Sequence, residues 1–315
     1  MSVDLRRPRA LRAGDAVAVV APASPFEMTD FDAGVAELRA LGFEARWDHD
    51  LFARCRYVAG TPAVRARDLR RWWQHPEVAA VFGARGGYGS AQVISSLDPG
   101  TIRETPKAFV GYSDLTTVLT WLVCHCGVVA FHGPTVTGRL GRSESAYDRA
   151  SLLSALTGVA AMGEVALPGV EVMRGGSARG RLLGGTLSQL AAAAGTPYAL
   201  TPWDDTILLI EDVGERPYRL DRLVQQLRDS GALRRVTGVL LGTFPKCDEP
   251  GGGLTAREVL ADLFADTPGP VLFGVPTGHV DGPALTLPLG VRAMIDAGRE
   301  ARLVIEEAAV VEGGA

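Results

Sequence analysis

Ser113 is where the chemistry of this sequence concentrates. It sits in Phe-Val-Gly-Tyr-Ser-Asp-Leu-Thr-Thr at positions 109–117, where a short apolar run ends at Gly111 and a helical pattern begins near Asp114. A serine on a sharp strand-to-helix turn presents its hydroxyl outward, and the first free backbone N–H groups of the helix point at whatever Oγ attacks. That suits a nucleophile. It suits an N-cap equally, because serine is among the best residues for satisfying N–H groups at the second or third helical position. The stretch alone leaves both open.

A nucleophilic serine needs a base, and the chain has five histidines. His49 and His75 lie in polar surroundings typical of surfaces, and His125 falls inside a helical pattern between two cysteines. His132 closes an apolar run and precedes Gly-Pro. His279 stands in a loop of glycines and prolines at 274–283, and loops held by rigid elements are a common place for catalytic groups. Glu211 and Asp212 end a buried apolar run, and Glu215 and Asp221 follow closely. A carboxylate at such a strand end needs a partner to remain there. Imidazolium is one, and Arg216, Arg219 or Arg222 is the alternative; residue types do not choose between them.

A second turn, Gly-Ala-Arg-Gly-Gly-Tyr-Gly-Ser at 83–90, brings glycines whose backbone N–H groups can approach a ligand closely. It lacks the lysine of a P-loop and the spacing of a dinucleotide fingerprint, and a tight strand-to-helix turn is its plain alternative. Cys124-His125-Cys126 with His132 raises metal catalysis, but residues one apart on a helix diverge by about 100° and no second pair has zinc-site spacing. Neither a metal nor any other cofactor is expected.

The elements that must position these groups alternate. Residues 16–21 read as a strand buried on both faces, 31–41 as a helix stopped by Gly42, 43–47 as a strand and 62–73 as an Arg-rich amphipathic helix. Strands follow at 78–82, 107–110 and 128–131, with a helix over 114–126. This order implies an α/β fold with a doubly wound, mostly parallel sheet, in which ligands bind at the carboxyl ends of strands. Ser113 and the glycine turn both fall there. From 138 to 180 periodicity weakens, although 146–156 reads as a helix. The expected organisation is an N-terminal domain over 1–140, a connection over 141–178 and a smaller C-terminal α/β domain with a mixed sheet over 179–315. In the second half, Gly-Gly at 184–185 reads as a break before an Ala-rich helix. Strands are expected at 206–210, 236–241, 271–273, 285–289, 291–296 and 303–305, with helices from Pro217 and Thr255.

The 315 residues suit two domains, and a net charge of −4 with scattered basic residues gives no footprint for nucleic acid. The first nine residues carry charge without a following apolar region, and no run approaches a membrane span. The chain is therefore expected to be soluble and cytoplasmic, and four cysteines without framework spacing agree with a reducing compartment.

Taken together, Ala-Arg-Gly-Gly-Tyr-Gly-Ser at 84–90, the 109–116 segment, Phe-His-Gly-Pro at 131–134, Gly-Arg-Leu-Leu-Gly-Gly at 180–185, Ile-Glu-Asp-Val-Gly-Glu at 210–215 with Tyr-Arg-Leu-Asp-Arg at 218–222, Gly278-His279 and Thr-Leu-Pro-Leu-Gly at 286–290 resemble the LD-carboxypeptidases. These serine peptidases include muramoyl-tetrapeptide carboxypeptidases and microcin C immunity hydrolases. The resemblance implies a Ser-Glu-His triad falling on Ser113, Glu211 and His279, an N-terminal doubly wound domain joined to a smaller one with the site between them, and a homodimer. It implies as substrate a murein-derived tetrapeptide from cell-wall recycling, with terminal D-alanine released. On that basis the oxyanion would meet N–H groups of Asp114 and Gly87. Arg85 would bind the terminal carboxylate beside Tyr88, and Glu215 a cationic side chain. The immunity-type relatives are expected to stack adenine on an aromatic in a longer loop after the first domain; Tyr147 is the one aromatic between 138 and 180, which favours the cell-wall substrate. A non-catalytic two-domain peptide-binding module is the reading from another class, and the lack of an export signal weighs against it.

Overall fold

The computed structural model describes residues 5–142 and 144–313; residues 1–4, 143, 314 and 315, including the start of the first expected domain and the end of the last, lie outside it. Two sheets organise the chain. In the first, the strands run in the order Leu287–Leu289, Ala130–His132, Ala108–Gly111, Val78–Gly83, Ala16–Val20 and Glu44–Arg46. The last five are parallel. Their central members are apolar runs with every residue buried, as a sheet covered on both faces requires. Helices Met28–Ala40 and Pro62–Gln74 supply part of that cover, the second beginning with Thr61 capping the Val64 N–H and proline at its first turn.

One strand of this sheet comes from the far end of the chain. Leu287–Leu289 pairs antiparallel with Ala130–His132, so the C-terminal half closes an edge of the N-terminal sheet.

The second sheet has eight strands. Gly176–Thr186, Thr206–Glu211, Val236–Leu241 and Val271–Phe273 form a parallel centre. Arg292–Ala297, Ala301–Ile305, Gly163–Val165 and Glu171–Arg174 flank it antiparallel. Two short strands thus come from the expected connection, together with helix Arg149–Thr157. The sequence reading of a Gly-Gly break is corrected here, because Gly176–Thr186 is one continuous strand through both glycines. Gly184 has φ +131°, and a Cβ there would lie 1.9 Å from the Leu209 carbonyl oxygen. Gly185 has φ +143°, and its Cβ would meet Thr116 on the helix that follows Ser113. Gly184 thus allows close approach within the sheet, and Gly185 is where this strand touches the N-terminal half. Among the described residues no helix is long and apolar enough to cross a membrane, and all four cysteines are free.

Candidate active site

Ser113 leaves strand Ala108–Gly111 in a left-handed conformation, φ +64°, and opens the short 3-10 turn Ser113–Leu115. No side-chain cap forms at this turn or at helix Thr116–Trp121. The cap reading therefore fails, since a capping residue sits in extended backbone and spends its oxygen on the helix. Left-handed backbone at a non-glycine residue costs on the order of 1 kcal/mol or more and persists where the surroundings enforce it. Glycines make the turn possible: a Cβ on Gly111 would lie 2.5 Å from Leu115 Cδ1, and one on Gly83 would lie 2.2 Å from the same atom.

Glu211 ends strand Thr206–Glu211 with no exposed surface. One carboxylate oxygen accepts from His279 Nδ1 at 2.7 Å and from the His279 backbone N–H at 2.8 Å. The other accepts from the Thr186 hydroxyl, at the end of the adjacent parallel strand. Burial pushes the Glu211 pKa up, but the His279 hydrogen bond and charge, the nearby His132 and the Thr186 bond outweigh it and hold the group at about 2. Two glycines let the pair form. A Cβ on Gly278, φ +66°, would lie 2.3 Å from Glu211 Cδ, and one on Gly242 would lie 2.7 Å from Glu211 Cβ.

Successive strand residues face opposite ways, and this separates the two acids that residue types could not. Asp212 accepts from the Ser188 N–H at 2.7 Å and its neighbour Val213 N–H at 2.8 Å, at the start of helix Leu187–Ala193. Burial raises its pKa to about 6. Glu215, read from sequence as a substrate contact, forms an ion pair with Arg219 at 2.5 Å and is not part of the cavity wall described next.

That cavity, about 460 Å³, is lined by Ser113, Tyr112, His279, Gly86, Gly87 and Arg85, with further polar residues from both halves. No Ser113–His279 hydrogen bond is formed among the described residues, although both residues line the cavity. Gly86, rather than Gly87, stands against the serine: a Cβ there would lie 2.7 Å from Ser113 Cβ and 3.4 Å from the Asp114 nitrogen. Gly87, φ +101°, backs onto Ser24. The Asp114 side chain is buried and accepts the Ser90 N–H at 2.8 Å. Tyr88, read from sequence as a substrate contact, is exposed and is not among the residues lining the cavity; its ring lies edge-on to that of Tyr57 at 5.5 Å.

Three contributors escaped the sequence reading. The Tyr112 ring lies 5.1 Å from that of His279 and 6.2 Å from that of His132. Arg139, 7 % exposed, donates to the carbonyls of Gly278, Val280, Gly282 and Ala146, and so holds the backbone on both sides of His279. Lys246 reaches the cavity from the loop after strand Val236–Leu241. The position next to the serine was the only sequence signal for Tyr112, and the other two have none, because their partners are backbone atoms or the cavity itself. His132 is fully buried with neither ring nitrogen partnered among the described residues, and burial lowers its pKa to about 4, which keeps it neutral. Among the described residues no cluster of three metal-ligating side chains occurs. Cys124 and His125 instead meet the carbonyls of Thr201 and Ala199.

A buried carboxylate–imidazole pair opening on a cavity that also holds a strained serine is an arrangement suited to acyl-transfer hydrolysis, and the peptidase class comes from the comparisons with known proteins. The chain belongs to the LD-carboxypeptidase family: residues 17–133 match the family's N-terminal domain and 179–295 its C-terminal domain. It is 33 % identical over 270 residues to the murein tetrapeptide carboxypeptidase of Pseudomonas aeruginosa, covering 84 % of this chain and 87 % of that one. The muramoyltetrapeptide carboxypeptidase structure from Oxalobacter formigenes superposes with a TM-score of 0.79 at 28 % identity, over 92 % of this chain and 97 % of that one. The ligand-free wild-type microcin C7 self-immunity protein superposes at 0.89 with 25 % identity, over 96 % and 99 %.

Proposed function

We propose that the chain is a serine carboxypeptidase that cleaves the L,D peptide bond before the terminal D-alanine of murein tetrapeptides, through an acyl-enzyme on Ser113. The observation that carries this reading is the Glu211–His279 pair, buried on one side and open on the other to the cavity that Ser113 lines. With Nδ1 engaged by Glu211, His279 has Nε2 left for the serine proton. Ser113 Oγ attacks the scissile carbonyl carbon as that proton moves to Nε2, and the imidazolium is stabilised by Glu211. The same proton then passes to the departing amine of D-alanine, and water releases the acyl group by the reverse sequence. The oxyanion is met by the Asp114 N–H and an N–H of the Gly86-Gly87 turn, each about 3 to 4 kcal/mol of transition-state stabilisation when removed.

Arg85 is the terminal-carboxylate ligand in this reading: its guanidinium lines the cavity with a backbone carbonyl, that of Pro25, as its hydrogen-bond partner. Glu215, paired with Arg219, takes no part. The protein acts in the cytoplasm, as a homodimer. The immunity-type reading is the less favoured one, because Tyr147 is 1 % exposed with its hydroxyl on Glu37, which leaves no aromatic between 138 and 180 free to stack on a base.

The test is incubation with murein tetrapeptide and with its all-L counterpart, products read by mass. Alanine is expected from the first and none from the second. Ser113→Ala is expected to lower the rate by about 10³-fold or more. A folded variant within tenfold of wild type would overturn the assignment.

A further inference from the structure

His279 rides on a loop that does not hold itself. Residues 278–283 lie in no helix or strand, and the carbonyls of Gly278, Val280 and Gly282 accept no backbone N–H among the described residues. Carbonyl groups in such a segment take their donors from elsewhere in the fold. Arg139, from the N-terminal half and 7 % exposed, supplies them. Its Nε donates to the Gly278 carbonyl at 3.0 Å, and its Nη2 to the same carbonyl at 2.7 Å and to that of Val280 at 2.6 Å. Its Nη1 donates to Gly282 at 2.9 Å and to Ala146 at 2.6 Å.

A guanidinium carries five N–H donors in a rigid planar fork, and these five bonds use all of them. The fork has nothing left for a substrate. No carboxylate pairs with Arg139 among the described residues, so the loop carbonyls are what compensate its buried charge. The same guanidinium lies over the Tyr112 ring, 5.8 Å from its centroid, and that ring stands 5.1 Å from the His279 imidazole. Tyr112 directly precedes Ser113. One side chain thus touches the neighbour of the nucleophile and grips the backbone on both sides of the base. A lysine has three donors and no plane, and could reproduce only part of this pattern.

We propose that Arg139 is a positioning residue that sets the reach from His279 to Ser113, by locking the loop of the base against the residue beside the nucleophile. The inference rests on the carboxypeptidase reading. It concerns the geometry of proton transfer, and not which peptide is bound.

The experiment measures steady-state cleavage of murein tetrapeptide by wild type, Arg139→Lys and Arg139→Ala, with rates taken per folded molecule and folding read from the thermal transition. Arg139→Lys keeps the charge and the aliphatic stem, and is expected to lose about 100-fold in kcat with KM within about threefold of wild type, the scale of a reacting group displaced by about 1 Å. Arg139→Ala should lose at least as much. Added ethylguanidinium, which restores the fork, is expected to raise its kcat about tenfold, whereas ethylammonium at the same concentration should not. A merely structural role would lower the melting temperature and leave kcat of the folded molecules unchanged. Folded Arg139→Lys with kcat within about threefold of wild type, a loss confined to KM, or equal rescue by the two cations overturns the inference and leaves the carboxypeptidase reading standing. A wild type that releases no alanine overturns both.

Discussion

The crevice around Glu211 and the surface hollow around Asp68 each contain a carboxyl group removed from water, and the outcomes are opposite. Glu211 is fully buried, receives three hydrogen bonds from His279 and Thr186, and is held at about 2. Asp68, on helix Pro62–Gln74 and 8 % exposed, has one oxygen without a partner among the described residues; burial and the nearby Asp48 carboxylate push it up to about 7. Burial alone thus says little about a group's charge. Donors aimed at it decide. They also decide the sign of its effect on stability. Glu211, with a folded pKa below its unfolded one, adds stability that is present above about pH 4.5 and lost as pH falls toward 2. Asp68, with its folded pKa above its unfolded one, makes ionisation oppose folding, so its contribution declines as pH rises from about 4 through 7.

The severest way to break this contrast is Glu211→Gln, which keeps the shape and removes the charge facing His279. Turnover of murein tetrapeptide is expected to fall about 10³- to 10⁴-fold, with KM little changed; a loss under tenfold would show that the carboxylate merely packs. A smaller step is Thr186→Val, which deletes one donor. Hydrogen bonds to charged groups are worth about 1.5–3 kcal/mol, so kcat is expected to drop about tenfold, and acid unfolding should begin at higher pH. The smallest effect is on the other side of the comparison and of opposite sign. Asp68→Asn should leave activity unchanged and raise the melting temperature by a few degrees at pH 8, at about 2–4 °C per kcal/mol, with little gain at pH 4. A gain of equal size at both pH values would mean that packing, and not ionisation, is responsible.

The sequence was most legible where burial is total. Runs such as 78–82 and 206–210 have no other use than a covered sheet, and the helix starts announce themselves by proline in the first turn at Pro62 and Pro217 and by the Thr255 cap. Strand Gly176–Thr186 was hidden because its glycines lack any strand preference and are present for close approach to Leu209 and Thr116. The direct contacts of the site were legible unevenly. His279 was suggested by its loop, but Glu211 was chosen over Asp212 through the family resemblance alone, because two adjacent acids do not disclose which way each faces. Gly86 and Gly87 are equivalent as letters, and only the path of the turn shows which one abuts Ser113. Arg139 is invisible in principle, since a side chain that grips remote carbonyls leaves no complementary residue in the sequence.

The strand Leu287–Leu289 begins eight residues after His279 and is sewn into the sheet whose next-but-one strand delivers Ser113. A jaw-like swing of one lobe away from the other would tear that seam. The pairing therefore ties the loop that carries His279 to the sheet that carries Ser113.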